Sequence, residues 1–132
     1  MSKKMTKKDW KTFKYFKPEE FACPCGCNSE PEMDYYLIRT LHKIRVHYGK
    51  PMYITSGYRC QKLNDRTPGS IKTSRHVKLK AADFCIPGVT DTVKGRDEVV
   101  KYARKWKNYK YAYHNKNGKY PNMGNAVHVE VD

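Results

Sequence analysis

Residues 74–86 read SRHVKLKAADFCI, and this stretch places two polar side chains beside a short apolar run. The run Ala81–Ile86 predicts a β-strand, which the following Pro-Gly pair ends. Asp83 interrupts the run, and His76 lies upstream with six residues between the two. An isolated buried charge is very costly, so a carboxylate in a buried strand needs a partner. The stretch therefore predicts that Asp83 has a partner inside the fold.

A long amphipathic helix is predicted upstream of this strand, from Pro31 to Tyr48. Its apolar residues recur at steps of four, four, three and four and therefore share one face: Met33, Leu37, Leu41, Ile44 and Tyr48. Asn28 or Ser29 can cap the start of this helix, and Gly49 ends it.

A second helix is predicted downstream, from Asp91 to about Tyr109. Its buried stripe has four members: Val99, Val100, Ala103 and Trp106. Between the two helices, Met52–Thr55 predicts a short strand and Ser56–Thr73 predicts a long polar loop. Loops of that length inside a compact domain are usually functional or disordered.

The C-terminal part of the chain carries two further strand signals. Asn117-Gly118 predicts a hairpin between Lys110–His114 and Lys119–Pro121. Ala126–Val131 alternates between valine and other residues, which predicts a final strand. Together the elements predict an α+β fold with a small, mainly antiparallel sheet and flanking helices.

Size and charge restrict the possible functions. The chain has 132 residues, enough for one compact domain, and its 27 Lys and Arg against 13 Asp and Glu give a net charge of +14. This excess either attracts nucleic acid, anionic membranes or anionic wall polymers, or serves as a solvated surface. The 13% aromatic content argues against a wholly disordered chain. No apolar run is long enough for a membrane helix.

The N-terminal residues 1–17 differ from the rest of the chain because lysines alternate there with aromatic residues. This pattern predicts an N-terminal arm that docks through its aromatic side chains onto a domain spanning residues 18–132. The arm lacks the apolar segment of a secretory signal, so the protein is expected to be made in the cytoplasm without a signal peptide.

A candidate metal site combines the two polar residues of the opening stretch with His128, which interrupts the valines of the last strand. Two imidazoles and one carboxylate form the ligand set of a catalytic zinc site, in which water takes the fourth position. A structural zinc site would more often close all four positions with cysteines. Taken singly, each of the three residues is also compatible with an ordinary polar side chain whose hydrogen bonds are satisfied within the fold.

The wider order of motifs resembles a known family. The motifs are, in chain order, Ser56-Gly57-Tyr58-Arg59, Asn64, Ser74-Arg75-His76, Ala81-Ala82-Asp83 and Val127–Val131. Their spacing resembles that of the zinc D,D-carboxypeptidase and L-alanyl-D-glutamate endopeptidase family of peptidoglycan hydrolases, which has a Hedgehog-like zinc fold. The stretch Tyr15–Phe21 is similar to the N-terminal part of the small phage and bacterial members. The resemblance covers nearly the whole chain, from Tyr15 to Asp132.

By this resemblance, His76, Asp83 and His128 bind Zn²⁺, and the long loop lies over the zinc cleft. Arg59 is implied to stabilise the oxyanion of the reaction, a role that suits a fixed guanidinium in a water-poor cleft. The alternative for Arg59 is a salt bridge that anchors a loop. Tyr58 is implied to bind substrate, and Ser74 is implied to help orient either the substrate or the first ligand loop. Ser74 is equally compatible with an ordinary turn serine.

Two positions depart from the family pattern. Leu79 stands where the family often has glycine, so the loop is expected to run slightly differently. Asn125 stands where many relatives carry the acidic general base, and an amide cannot take the proton. Glu130 shares a strand face with His128 and is the candidate replacement. It could be the base, could orient His128 through its free ring nitrogen, or could be exposed to solvent.

The five cysteines pose a separate question. Their odd number and a cytoplasmic origin argue against a fully paired disulfide framework. Four of them could supply thiolates to a second, structural zinc: Cys23, Cys25, Cys27 and Cys60. The Cys-x-Cys-x-Cys spacing is tighter than is usual for zinc sites, so reduced or partly oxidised thiols are the alternative.

The resemblance implies a zinc peptidase, carboxypeptidase or endopeptidase, that cleaves peptidoglycan stem peptides as a phage lysis enzyme or a virion-associated wall hydrolase. Its basic surface would bind anionic wall polymer, nucleic acid is disfavoured as a partner, and a monomer is expected. The enzyme would reach the wall after lysis, through a holin or from a virion. The alternative, favoured by Asn125, is a catalytically inactive zinc domain that binds cell wall or nucleic acid.

Overall fold

An antiparallel sheet with flanking helices forms the fold in a computed structural model, which describes residues 3–67, 74–106, 109–115 and 123–132. The helices are α1 (Lys7–Thr12), a 3₁₀ helix (Pro18–Phe21), α2 (Tyr35–Tyr48), α3 (Gln61–Arg66) and α4 (Val93–Ala103). The strands are β1 (Tyr53–Ser56), β2 (Ala81–Cys85), β3 (Tyr109–Tyr113) and β4 (Val127–Val131), in the order β1-β2-β4-β3. The predicted α+β class is confirmed.

Helix α2 begins four residues later than the sequence predicts. Its N-cap is Asp34, whose carboxylate accepts hydrogen bonds from the backbone of Tyr36 and Leu37. The predicted cap Asn28 instead accepts from the backbone of Glu30 in the preceding loop. At the other end the prediction is confirmed, since Gly49 has a φ of 62° and closes the helix in the left-handed conformation.

Helix α4 is shorter than predicted at both ends. Thr92 caps its start by accepting from the backbone of Gly95. After Ala103 the chain continues in turns, in which Lys105 and Trp106 donate to carbonyls three residues back. The helix has to stop there because β3 already begins at Tyr109. Trp106 is therefore only partly buried, whereas the other three members of the predicted stripe are core residues.

The predicted long loop Ser56–Thr73 is wrong in part, because Gln61–Arg66 forms helix α3. Asn64, on this helix, is completely buried, and its side chain takes the place of an apolar residue. Residues 68–73 lie outside the described part of the chain, as do Asn117-Gly118 and Lys119–Pro121 of the predicted hairpin.

The register of the sheet brings the predicted polar residues together. In the antiparallel pair of β2 and β4, Asp83 lies directly opposite His128. On the other side of β4, Tyr113 of β3 is also opposite His128. Cross-strand partners in such a pair point to the same face of the sheet and lie close enough to interact.

The core lies on the opposite face of the sheet, where helices α2 and α4 pack against β4. Val127, Val129 and Val131 are fully buried there, and so are Ala82 and Phe84 of β2. Because successive side chains of a strand alternate between faces, burying the valines leaves His128 and Glu130 on the other face. The N-terminal residues add to the same core through Phe13 and Phe16.

None of the helices in the described residues is long and apolar enough to cross a membrane.

Candidate metal centre

Three side chains that could bind a metal converge on the polar face of the sheet. Nδ1 of His128 lies 2.7 Å from Oδ1 of Asp83, and Nε2 of His76 lies 3.5 Å from Oδ2 of the same carboxylate. One ligand atom from each of the three residues lies within 4.8 Å of the other two. His76 and His128 are buried, with 2% and 5% of their surface exposed. The structure thus gives Asp83 the partners that its place in a strand required.

The charges of this cluster are strongly coupled. Burial alone would raise the pKa of Asp83, but hydrogen bonds from His128 and His76 hold it well below its usual range. Burial alone would lower the pKa of His128, but its hydrogen bonds with Asp83 and Glu130 raise it to about 9. Without a metal, the cluster is therefore an imidazolium held between two carboxylates.

The donor set fits zinc. Zinc takes imidazole nitrogen and carboxylate oxygen at about 2.0–2.1 Å in tetrahedral geometry, which separates ligand atoms by about 3.4 Å. The two nitrogen–oxygen distances in the cluster, 2.7 Å and 3.5 Å, bracket that separation. Three protein ligands leave one position open, as in catalytic rather than structural sites. His76, Asp83 and His128 are the residues that would hold the ion.

His76 is oriented by a backbone carbonyl and a side-chain hydroxyl from two different segments. Its Nδ1 lies 2.8 Å from the carbonyl oxygen of Gly57, which leaves Nε2 to face Asp83. Its backbone N–H donates to Oγ of Ser74 at 3.2 Å. Leu79 in this loop is the residue at whose position the family often has glycine. Leu79 has a φ of 66°, the left-handed conformation that glycine favours, so this leucine adopts a glycine-like backbone.

Arg59 lies beside the cluster, and among the residues that the structure describes it forms no salt bridge of the kind predicted as its alternative role. Its Nη2 donates to Oγ of Ser74 at 3.2 Å, and its Nε is buried without a hydrogen-bond partner among the described residues. Burial lowers the pKa of Arg59, and the nearby charge of Asp83 partly opposes that shift. A half-buried guanidinium next to candidate metal ligands is suited to bind an anionic or carbonyl oxygen.

Glu130 is neither exposed nor on the metal side of His128. Its Oε1 lies 2.9 Å from Nε2 of His128, the ring nitrogen opposite the one that faces Asp83. Its Oε2 forms an ion pair with Nε of Arg75 at 3.0 Å. Burial would raise the pKa of Glu130, but His128 and Arg75 lower it. This geometry matches the orienting role among the predicted alternatives.

Two contributors to the site were not predicted. Arg75 belongs to the motif Ser74-Arg75-His76, but its ion pair with Glu130 depends on how this loop packs on β4. Tyr113 stacks on the ring of His128, with centroids 4.6 Å apart. That contact depends on the pairing of β3 with β4, which the local sequence does not specify.

Asn125, at the position where many relatives carry an acid, is engaged elsewhere. Its Oδ1 accepts a hydrogen bond from Nη1 of the buried Arg96 at 2.8 Å, and the same nitrogen donates to the backbone of Thr90. Asn125 thus satisfies a buried cation that links α4 to the segment before β4.

Four of the five cysteines form a second cluster. Sγ of Cys25 lies 3.2 Å from Sγ of Cys23 and 3.6 Å from Sγ of Cys60, and Cys27 completes a group within 4.8 Å. Burial raises the pKa of Tyr58, the residue predicted to bind substrate, and the charges of Cys27 and Cys60 raise it further. All five cysteines, including Cys85 on β2, are free thiols in this structure.

Comparison with known proteins gives one match. The family model described as Peptidase M15 matches residues 14–129, which is most of the chain. No curated protein and no solved structure matches the chain.

Proposed function

Because this chain belongs to the peptidase M15 family of zinc metallopeptidases, we propose that it cleaves the stem peptides of peptidoglycan as a wall hydrolase of a bacteriophage. The observation that carries the proposal is the convergence of His76, Asp83 and His128 beside the incompletely bonded Arg59. The cluster provides three ligands for zinc, and the guanidinium provides a donor for the substrate. Together they can activate the attacking water and stabilise the charge that develops during hydrolysis of an amide.

When bound, zinc supplies Lewis-acid activation of the scissile carbonyl and of the attacking water. Around that ion, the chain's own residues fix the geometry. The Gly57 carbonyl holds Nδ1 of His76, and the Glu130 carboxylate holds Nε2 of His128. The other nitrogen of each ring faces Asp83 and would bind the ion together with that carboxylate. Each imidazole is therefore oriented through its outer nitrogen before substrate arrives, which limits reorganisation during the reaction.

Arg59 stabilises the negative charge that develops on the carbonyl oxygen as the peptide bond is attacked. Its Nη2 is held by Ser74, so the guanidinium is oriented while its Nε stays free of hydrogen bonds to the described residues. Its burial strengthens the interaction, since the same charge pair is worth more where water is excluded. Ser74 acts as a positioning residue, because its hydroxyl also accepts from the His76 backbone.

The positive charge supports the choice of a wall polymer as substrate. A net charge of +14 on 132 residues favours association with an anionic lattice such as the bacterial wall. Exposed charges are screened beyond about 8 Å at 0.15 M salt. Binding of the protein to isolated sacculi should therefore fall steeply between low and high salt, and salt-insensitive binding would contradict an electrostatic attachment.

The competing function is a zinc domain that binds wall without cleaving it. The observation that favours it is Asn125, whose amide is held by Arg96 and supplies no proton acceptor at a position where many relatives have one. Arg59 favours the enzyme, because its half-buried guanidinium lies beside the metal ligands, where it can donate to the oxygen of a scissile carbonyl.

Digestion of purified muropeptides and sacculi tests the proposal directly. We expect new peptide fragments in mass spectra, with masses that assign the cleaved bond as D,D or L-Ala–D-Glu. The matched control is His128→Ala, which should give no fragments. Sacculi that bind the protein but release no fragments would overturn the peptidase proposal and support the non-catalytic one.

A further inference from the structure

The four-cysteine cluster lies outside the zinc centre described above and has no part in the proposed reaction. It joins two segments that are distant in the sequence, since Cys23, Cys25 and Cys27 follow the 3₁₀ helix and Cys60 precedes α3. Cys25 and Cys27 are exposed, Cys60 is partly buried and Cys23 is buried. A group of four reduced thiols that is partly exposed to solvent needs an explanation beyond core packing.

The backbone around the cluster is shaped to converge the sulfur atoms. Gly26 has a φ of 80°, which reverses the chain between Cys25 and Cys27, and its N–H donates to the carbonyl of Cys23 at 3.0 Å. The backbone N–H of Cys60 donates to Sγ of Cys23 at 3.4 Å. A backbone donor aimed at sulfur stabilises a thiolate more than a neutral thiol.

We propose that Cys23, Cys25, Cys27 and Cys60 bind a second, structural zinc ion in a closed tetrathiolate site. Zinc with four sulfur ligands at about 2.3 Å separates those sulfurs by about 3.8 Å. The two shortest separations in the cluster, 3.2 Å and 3.6 Å, are near that value. A disulfide requires about 2.05 Å, so oxidation would have to draw the two sulfur atoms of a pair closer together than they lie here. On binding, the thiols release their protons to solvent.

This ion would fix the segment 57–60. Three residues of this segment make hydrogen bonds to other parts of the chain, and the fourth, Cys60, would bind the ion. The Gly57 carbonyl holds His76, and the backbone N–H of Tyr58 donates to the carbonyl of Phe21 at 2.8 Å. The backbone N–H of Arg59 donates to the carbonyl of His76 at 3.3 Å, and Cys60 belongs to the thiol cluster. Gly57 also packs so closely on Phe21 that a Cβ would lie 2.6 Å from the Phe21 Cα.

Binding of the second zinc ion would therefore stabilise the His–Asp centre indirectly. Through Cys60 it anchors the segment that orients a ligand, His76, and presents Arg59. The link to catalysis rests on the proposed function, whereas the metal site itself does not.

Metal content of the intact, reduced protein tests the site. We expect two zinc ions per wild-type chain, two in Cys85→Ser, and one in either Cys27→Ser or His128→Ala. Cys85→Ser is the matched control because Cys85 lies on β2, outside the cluster. Because Cys27→Ser could fail to fold, the decisive sample is His128→Ala loaded with cobalt. It should show thiolate-to-cobalt charge-transfer absorption in the near ultraviolet.

The same variants test whether the cysteine site stabilises the His–Asp centre. In Cys27→Ser the remaining zinc, bound by His76, Asp83 and His128, should bind about 10-fold more weakly than in Cys85→Ser, in the range seen when partners of metal ligands are removed. Equal affinity would overturn the link. One zinc in the wild type and none in His128→Ala, or a disulfide found by mass spectrometry of the alkylated protein, would overturn the site. Neither result depends on peptidoglycan cleavage, so failure of the proposed function would be recognised separately.

Discussion

The two metal-binding clusters of this protein are built in opposite ways. In the His–Asp cluster, Asp83 and His128 lie on neighbouring strands, and the sheet register sets their distance. The cysteine cluster is built on irregular segments, with three of its members within five consecutive residues. The first offers three ligands beside a free guanidinium donor, and the second offers four thiols. An open ligand set on a rigid sheet suits chemistry, whereas a closed set on loops suits the fixing of those loops.

The largest expected difference between the two clusters is in catalytic activity, which should depend on the His–Asp cluster. His128→Ala should lower peptide cleavage by on the order of 10³-fold or more, because metal catalysis contributes several kcal/mol and each 1.4 kcal/mol is tenfold. Turnover of a defined muropeptide is the measurement, and His47→Ala is the control because His47 is exposed on α2. Substantial turnover by zinc-free His128→Ala would show that this cluster is not the catalytic one.

Arg59→Ala should have the next largest effect. Loss of a donor to the developing oxyanion should lower kcat by roughly 10²–10³-fold. Zinc content and the unfolding temperature should change little. Among the described residues Arg59 makes no ion pair, and the substitution removes one side-chain hydrogen bond, to Ser74. Arg66→Ala, at the exposed end of α3, is the matched control. A large loss of stability with kcat intact would identify Arg59 as a structural residue.

The third prediction concerns pH and the metal-free protein. The pKa of His128 is raised to about 9 in the folded state, above its usual 6.5. Its contribution to stability is therefore fully present below about pH 6.5 and is lost as the pH rises through about 9. The loss is at most about 3 kcal/mol, since one pKa unit corresponds to about 1.4 kcal/mol.

Urea unfolding of the chelator-treated protein between pH 6 and 10 measures this loss. His128→Gln, which cannot be protonated in this range, should remove the part of the slope that belongs to His128. The contribution of Asp83 to stability has the opposite pH dependence. Because the pKa of Asp83 is lowered in the folded state, this contribution is present at neutral pH and is lost only as the pH falls into the acid range. Metal-free wild type whose stability is constant from pH 6 to 10 would contradict the proposed imidazolium between two carboxylates.

The sequence predicted the elements that strong local patterns specify. The apolar face of α2, the Gly49 cap and the alternation of Val127–Val131 all depend on near neighbours, and the structure agrees with them. The N-terminus of α2 and the helix α3 were missed because competing signals were similar in strength. Asn28 and Asp34 are both good caps, and only the tertiary contacts of the folded chain favour Asp34.

The site shows the same division between local and long-range information. The resemblance singled out His76, Asp83, His128 and Arg59, and the structure brings them together. The stacking of Tyr113 and the ion pair of Arg75 with Glu130 depend on strand register and on loop packing. Neither is encoded in a short motif, so neither could be predicted from one sequence.

The smallest expected effect belongs to Glu130, and it tests how the His–Asp cluster is held. A carboxylate that orients His128 through Nε2 raises the basicity of the other ring nitrogen, and Glu130→Gln would keep the shape but lose that charge. We expect zinc affinity to fall by about 10–100-fold, with kcat at saturating zinc nearly unchanged. A competitive chelator titration measures the affinity, and Glu19→Gln, at an exposed glutamate, is the control.

The opposite result, normal zinc affinity with most of kcat lost, would make Glu130 the general base despite its position on the far side of the ring. Because Arg75 binds the other carboxylate oxygen, Arg75→Ala should reproduce the affinity loss in weaker form if Glu130 orients the ligand.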